Sequence, residues 1–497
     1  MATLLNVLES GQPDDRLALV ASSGPRLTYG QLREQVWRAA EALAAHGIRR
    51  DDRVALVYPN SAEAIVLFLA AATVGTAAPL NPAYKVDEFR FYLEDTRARL
   101  LLVPPGEGSA AREAMPAGGK VVEAALDERG RVRVAEGGAA RARVEPPGDD
   151  DVALVLHTSG TTSRPKIVPL RHRNLAASVA NIVPCYRLGP EDVSLCVMPL
   201  FHVHGLVASA LSTLASGGTV VVAGPRFNPF EFWPLVREHR PTWYSAVPTI
   251  HAAVLNRAGE ERPAGTERLR FIRSCSAALP ADLMRRLEDL LDVPVLEAYG
   301  MTEAAHQMAS NPLPPDERRA GTVGRATGVE IAIFDDHGRH LPAGTAGEVV
   351  IKGPNVMDGY EANPSANAEA FTDGWFRTGD LGSLDERGYL TLRGRIKELI
   401  NRGGEKIAPR EIDEVLLQHP AVAEAVAFGV PHPAWGEEVA AAVVLKREAT
   451  RQQLLDFCRE RLADFKVPRQ LYVVTEIPRT PTGKVQRRHV AAALAEG

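Results

Sequence analysis

The run His157-Thr158-Ser159-Gly160-Thr161-Thr162-Ser163-Arg164-Pro165-Lys166 gathers hydroxyls, glycine and a closing lysine within one short segment. A phosphate chain needs closely spaced donors. Hydroxyls and backbone N–H groups supply them, and a lysine adds a point charge. The G-x-x-x-x-G-K-[ST] spacing is absent, so the segment is not a Walker A loop. Taken alone, such a run fits an ordinary loop as well as a phosphate cradle. It follows an apolar strand and precedes a helix, but a short run of this composition is more often an ordinary loop. His202-Val203-His204 could start a metal site, but no third ligand lies at a helpful spacing. Cys185, Cys196, Cys275 and Cys458 form no C-x-x-C pair, so neither a disulfide framework nor a zinc ribbon is implied.

The surrounding pattern must position these groups. Apolar spacing predicts a helix over Tyr29 to Ala45, and short apolar runs predict strands at Val54 to Tyr58, Leu100 to Val103, Asp151 to His157, Ser194 to Met198 and Thr219 to Ala223. Helical segments at Leu175 to Val183 and Phe230 to Glu238 lie between them. This alternation predicts an α/β fold with parallel sheets flanked by helices. From about Gly328 short strands and Gly/Pro turns predict a small β-barrel subdomain, and after Arg395 a small α+β domain follows. The expected organisation is 1–394 for a large domain (its β-rich part about 328–394), 395–398 for a hinge and 399–497 for the C-terminal domain. Pro104 to Asp149 reads as a surface excursion.

The chain has 497 residues, 45% apolar and 24% charged, with a formal charge of -5. That balance excludes a general nucleic-acid binder. The longest uncharged stretch, Ala64 to Tyr84, is interrupted by Gly75, Pro79 and Pro82. It reads as a buried helix leading into a strand rather than a bilayer span. With no secretory signal at the N-terminus, a cytoplasmic location is expected.

The phosphate loop resembles that of the adenylate-forming superfamily, which includes acyl-CoA synthetases, and five further segments resemble its motifs in order. They are Pro199 to Gly205, Glu297-Ala298-Tyr299-Gly300-Met301-Thr302-Glu303, Trp375 to Asp380, Gly394 to Ile400 and Pro478 to Lys484. The resemblance covers nearly the whole chain. It implies that a carboxylate attacks the α-phosphorus of ATP, and that a thiolate then takes the acyl group from the adenylate. Lys484 would bridge carboxylate and α-phosphate, with Thr302 donating to that phosphate and Glu303 holding Mg²⁺. Thr158, Ser159, Gly160, Thr161, Thr162 and Lys166 would cradle the phosphates. Ala298, Tyr299 and Gly300 would lie against adenine, and Asp380 and Arg395 would hold the ribose. Lys397 occupies the hinge position, which implies a mobile C-terminal domain, and His202, Gly403 and Gly404 would border the coenzyme A tunnel. One departure is Ile167, where the superfamily usually has glycine; a branched residue there is expected to alter loop mobility rather than abolish activity.

Within the superfamily the chain most resembles oxalate–CoA ligases. The strings Phe201 to Gly205, Trp243 to His251, Arg273-Ser274-Cys275-Ser276-Ala277, Thr302 to Met308 and Asn401 to Lys406 carry this. The chemistry points the same way. A dicarboxylate leaves one charge inside the pocket, which must find donors. His204, Ser274, Ser276 and His306 are the candidates, with Arg273 either contributing or structural. The resemblance implies ATP, Mg²⁺ and coenzyme A, a small carboxylic acid, no nucleic-acid or membrane partner, and a monomer or homodimer. Alternatives are a medium-chain or aryl acid, transfer to a carrier-protein thiol, and a noncatalytic nucleotide-binding protein.

Overall fold

Thr28 and Gln31 close a capping box and start the helix Tyr29–Ala45 where the apolar spacing predicts it. Ser61 caps the helix Ala62–Val74, whose residues are almost all buried. That helix stops at Gly75, where a Cβ would stand 2.6 Å from the Asp52 carbonyl oxygen. The strand Thr76–Pro79 follows directly, so the uncharged stretch is the expected helix and strand. Among the described residues no helix is long and apolar enough to cross a membrane.

The computed structural model describes residues 3–9, 11–22, 24–135, 142–158, 165–479 and 485–495. They form two compact units, one chiefly from residues up to 330 with 352–374, the other from 331–351 and 375–497.

The first unit is α/β, as the alternation predicts. A nine-stranded sheet has a parallel centre in the order Leu17–Ala21, Thr219–Val222, Val193–Cys196, Trp243–Ala246, Phe271–Ser274, Val295–Met301. Antiparallel strands finish its edges, with His306–Ser310 beside Val295–Met301. A core of Leu195, Tyr244, Ile272, Leu287 and Val295 packs against this sheet. A seven-stranded sheet sets Lys120–Leu126, Leu100–Val103, Arg53–Leu56, Thr76–Pro79 and Val152–His157 side by side in parallel. Ile167–Arg171 closes one edge of it and Val132–Val134 the other. The region read as a surface excursion therefore contributes two strands and the helix Ser109–Ala114. Its strand Lys120–Leu126 mixes exposed Lys120 and Val121 with buried Val122 and Ala124, which blurs the apolar signal.

In the second unit, Gly347–Lys352, Trp375–Leu384 and Leu390–Arg395 form an antiparallel sheet. A further five-stranded sheet, led by Val422–His432 and Gly436–Leu445, packs Val439 and Ala441 against Ile412, Leu416, Leu454 and Cys458 of its helices.

Candidate active site

The hairpin of Val152–His157 and Ile167–Arg171 ends at the pair His157–Ile167. Past it, the Thr158 N–H donates to the Lys166 carbonyl at 2.9 Å, and the Lys166 N–H donates to Thr158 Oγ1 at 3.1 Å. Thr158 and Lys166 thus form the base of the expected phosphate loop. His157 is anchored by Asp95, Nε2 to Oδ2 at 3.0 Å. Ser159, Gly160, Thr161 and Thr162 lie outside the described residues, as does Lys484. The Lys166 ammonium lies 4.4 Å from the centre of the Tyr360 ring. The Tyr360 hydroxyl donates to Glu303 Oε1 at 2.9 Å, so one tyrosine joins the loop lysine to the expected metal-holding carboxylate.

Glu303 sits on a tight turn. The strand Val295–Met301 carries the buried Ala298 and Tyr299 and runs into a 3-10 turn, Thr302–Ala304. The chain then reverses through Ala305 and His306, both at positive φ, +48° and +108°. Such strain persists only where the surroundings hold it, and it gathers at functional sites. Gly300 makes the reversal fit, because a Cβ there would stand 2.1 Å from the His306 carbonyl oxygen. Three residues apart, Glu303 and His306 are presented by the same turn.

His306 belongs to a buried polar cluster at the C-terminal ends of the parallel strands, where ligands bind in open α/β sheets. Arg273 is its centre and is fully buried. Its Nε donates to the Tyr186 hydroxyl at 2.8 Å, and Nη1 to Ser245 Oγ at 3.0 Å with His204 Nε2 at 3.4 Å. Its Nη2 meets His306 Nε2 at 3.0 Å and Gln307 Oε1 at 3.1 Å. No carboxylate of the described residues is among these partners. Burial pushes the Tyr186 hydroxyl up, against the pull of the Arg273 charge, so no phenolate neutralises it.

His204 opens a π-helical turn, His204–Leu211, a rare geometry that often marks functional sites. The turn approaches closely at Gly205, where a Cβ would lie 2.3 Å from the Pro199 carbonyl oxygen. His204 Nε2 is 2.7 Å from Ser245 Oγ, and its Nδ1 is 3.1 Å from Ser276 Oγ. The rings of His204 and His306 stack with centroids 5.2 Å apart. Ser276 adopts φ +72°, and Ser274 is buried with a hydroxyl that has no partner among the described residues. The structure therefore brings together His204, Ser276 and His306, with Ser274 on the adjoining strand. His202 stands just before the π-helical turn with its ring against Phe201.

In the second unit, Asp380 and Arg395 are cross-strand neighbours joined by a 2.7 Å ion pair. Arg395 thus braces the carboxylate expected to hold ribose. Lys397 lies in the 3-10 turn Ile396–Glu398. Gly403 and Gly404, at φ +60° and +96°, form the two-residue turn between Ile400–Arg402 and Glu405–Ile407. A Cβ on Gly403 would press to 2.7 Å from the Trp435 ring, so the backbone itself is presented there. Arg487 pairs with Glu398 at 3.2 Å and with Asp413 at 2.6 Å, although burial pushes the Asp413 carboxyl up.

Among the described residues Tyr360 is the side chain bonded to the Glu303 carboxylate, which leaves its second oxygen for a hard cation. Among the described residues no group of three or more His, Cys, Asp or Glu is arranged for a metal. A single carboxylate suits Mg²⁺ bound mainly by phosphate oxygens and water, so these residues fit that ion. Tyr360, Ser245 and Tyr186 escape the sequence reading. Ser245 lay in a resembling string, whereas Tyr186 and Tyr360 carry no chemical signal of their own.

A family model described as AMP-binding enzyme matches residues 9–361, and one described as AMP-binding enzyme C-terminal domain matches residues 411–484. The oxalate–CoA ligase of Arabidopsis thaliana is 46% identical over 501 residues, 97% of this chain and 96% of that protein. The oxalate–CoA ligase of Saccharomyces cerevisiae is 47% identical over 481 residues, 90% and 88% of the two chains. The solved ATP-bound MatB of Rhodopseudomonas palustris superposes with a TM-score of 0.89 at 34% identity, covering 99% of each chain.

Proposed function

Because the chain belongs to the AMP-binding enzyme family, we propose that the acid it activates is oxalate, with oxalyl-CoA, AMP and diphosphate as products. The chain is an ATP-dependent acid–thiol ligase. In the first half-reaction an acid oxygen attacks the α-phosphorus of ATP and diphosphate leaves. In the second, the coenzyme A thiolate attacks the acyl carbon and AMP leaves.

Negative charge must meet negative charge in the first step, so compensation is the main catalytic demand. Lys166, with Thr158, Ser159, Gly160, Thr161 and Thr162, holds the β- and γ-phosphates, and Thr302 donates to the α-phosphate. Glu303 would hold Mg²⁺, which when bound neutralises phosphate charge. Tyr299 lies flat on adenine beside Ala298 and Gly300. Asp380 accepts the ribose hydroxyls and Arg395 steadies it. Lys484 bridges acid and phosphate, then withdraws as the chain turns about Lys397. Gly403, Gly404 and His202 are each assigned to the path of coenzyme A. A cytoplasmic setting, with no membrane or nucleic-acid partner, suits these small substrates.

The single observation that carries the choice of acid is the buried Arg273 guanidinium without a carboxylate partner among the described residues, ringed by His204, Ser245 and His306. A buried cation costs several kcal/mol unless compensated. A second carboxylate of the substrate, bound to His204, Ser274, Ser276 and His306, would supply the missing charge. A fatty-acid tunnel would need apolar walls at the same place.

AMP formation with oxalate, malonate, octanoate and benzoate, each with and without coenzyme A, tests this. The reading requires oxalate to give the highest kcat/KM and coenzyme A to discharge the adenylate. A preference for octanoate or benzoate would overturn it, and an adenylate inert to coenzyme A would point to a carrier thiol.

A further inference from the structure

We propose that Arg273 is a positioning residue that fixes the protons of both pocket histidines on Nδ1, without itself touching substrate. The inference rests on the reading that the pocket takes an acid with a second anionic group. It concerns how that group is recognised.

A guanidinium has five N–H donors and no acceptor. Every donor direction of Arg273 meets a protein acceptor, namely Tyr186, Ser245, His204, His306 and Gln307. None is left for a ligand. His306 Nε2, 3.0 Å from Nη2, must therefore accept, and its proton resides on Nδ1. Ser245 Oγ accepts from Nη1 at 3.0 Å, which turns its own hydrogen toward His204 Nε2 at 2.7 Å. The 3.4 Å approach of Nη1 to the same His204 nitrogen enforces the same polarity. His204 thus carries its proton on Nδ1 as well and donates it to Ser276 Oγ at 3.1 Å.

Each hydrogen bond in the chain Arg273, Ser245, His204, Ser276 points away from the cation. A proton added to either Nε2 would face a guanidinium N–H, which is repulsive. The pocket consequently offers neutral donors backed by a buried positive charge. Such a set holds a carboxylate firmly while leaving no mobile proton to neutralise it.

Strand register builds this arrangement into the fold. Arg273 pairs with Ser245 across adjacent parallel strands, and His306 lies on the strand that returns from the Glu303 turn. The relay depends on the length of arginine and on its planar fork, which lysine lacks.

Imidazole ¹⁵N NMR of the full chain, assigned with His204→Gln and His306→Gln, reads the proton positions directly. Both rings are expected as Nδ1–H tautomers in the wild type. In Arg273→Met the Nε2–H form should appear in both, and the oxalate KM should rise about tenfold or more while the ATP KM stays unchanged. Arg273→Lys should recover part of that loss. Ser245→Ala leaves Nη1 3.4 Å from His204 Nε2, so it should shift the His204 Nε2 resonance, keep both rings as Nδ1–H and spare His306.

An Nε2–H signal from either histidine in the wild type overturns the proposal. So does a Ser245→Ala protein whose His204 becomes the Nε2–H tautomer while Arg273 remains, or an Arg273→Met protein that loses oxalate and ATP affinity alike. If the tautomers are as stated but oxalate is not turned over, the positioning role stands and the assignment of the acid fails.

Discussion

The Tyr360 hydroxyl donates a 2.9 Å hydrogen bond to Glu303 Oε1. Its ring also underlies the Lys166 ammonium, so one side chain orients a cation and a carboxylate that are both proposed to work on the phosphates. Tyr360→Phe keeps the ring and removes only the donor. A hydrogen bond to a charged group contributes about 1.5–3 kcal/mol, so the KM for MgATP should rise roughly tenfold or more, and saturation should need more magnesium. Steady-state kinetics across a magnesium series checks this. Tyr360→Leu should be worse, because the surface beneath Lys166 is lost too.

Ile167 stands where the superfamily usually has glycine. Its side chain is buried against Ala78 and Val155, at the first position of a strand. Ile167→Gly removes that packing and adds chain entropy to the unfolded state. A loss of roughly 2–5 kcal/mol is expected in urea denaturation. Pyrophosphate exchange measured well below the melting point should change little by comparison.

His172 is buried, with the Leu4 N–H donating to Nδ1 and Nε2 facing the Ala72 carbonyl. Burial pushes its pKa from 6.5 down to about 4, and His251 is pushed down to about 4 for the same reason. Between those values the unfolded chain binds a proton that the native state refuses. Stability is therefore full above about pH 6.5 and declines as pH falls toward about 4, by up to about 3 kcal/mol for each ring. Denaturation midpoints at pH 7 and pH 5 should show the decline, and His172→Gln should lessen it.

Lys484 is proposed to act only in the first half-reaction. Lys484→Ala should lower adenylate formation by about 10²-fold or more, the scale of losing one charge-stabilising donor. Thioester formation from supplied acyl-adenylate should be largely spared. Single-turnover assays of the two halves separate these effects, and an equal loss in both would contradict alternation about Lys397.

The elements were legible wherever local pattern decided them. Tyr29–Ala45 follows its apolar spacing and its cap, and Thr219–Val222 follows its short apolar run. The strand Lys120–Leu126 was not, because partly exposed positions replace a continuous apolar run. His204, Ser276 and His306 were recognisable as donors from the need to hold a second charge. Their organiser was harder to see. Arg273 reaches Tyr186, Ser245 and His306 across sequence separations of 87, 28 and 33 residues; sheet order brings in Ser245 and His306, and the end of the helix His172–Cys185 brings in Tyr186. Tyr360 meets Glu303 across 57 residues from a segment outside any strand, with nothing local to announce it.

Oxalate and oxamate have nearly the same size, and each offers one carboxylate for activation. They differ in whether the far end carries a charge. If the cluster around Arg273 exists to receive that charge, kcat/KM for diphosphate release should favour oxalate by about tenfold or more, and His204→Ala should erase most of the difference. Equal kcat/KM for the two acids in the wild-type protein would contradict the account.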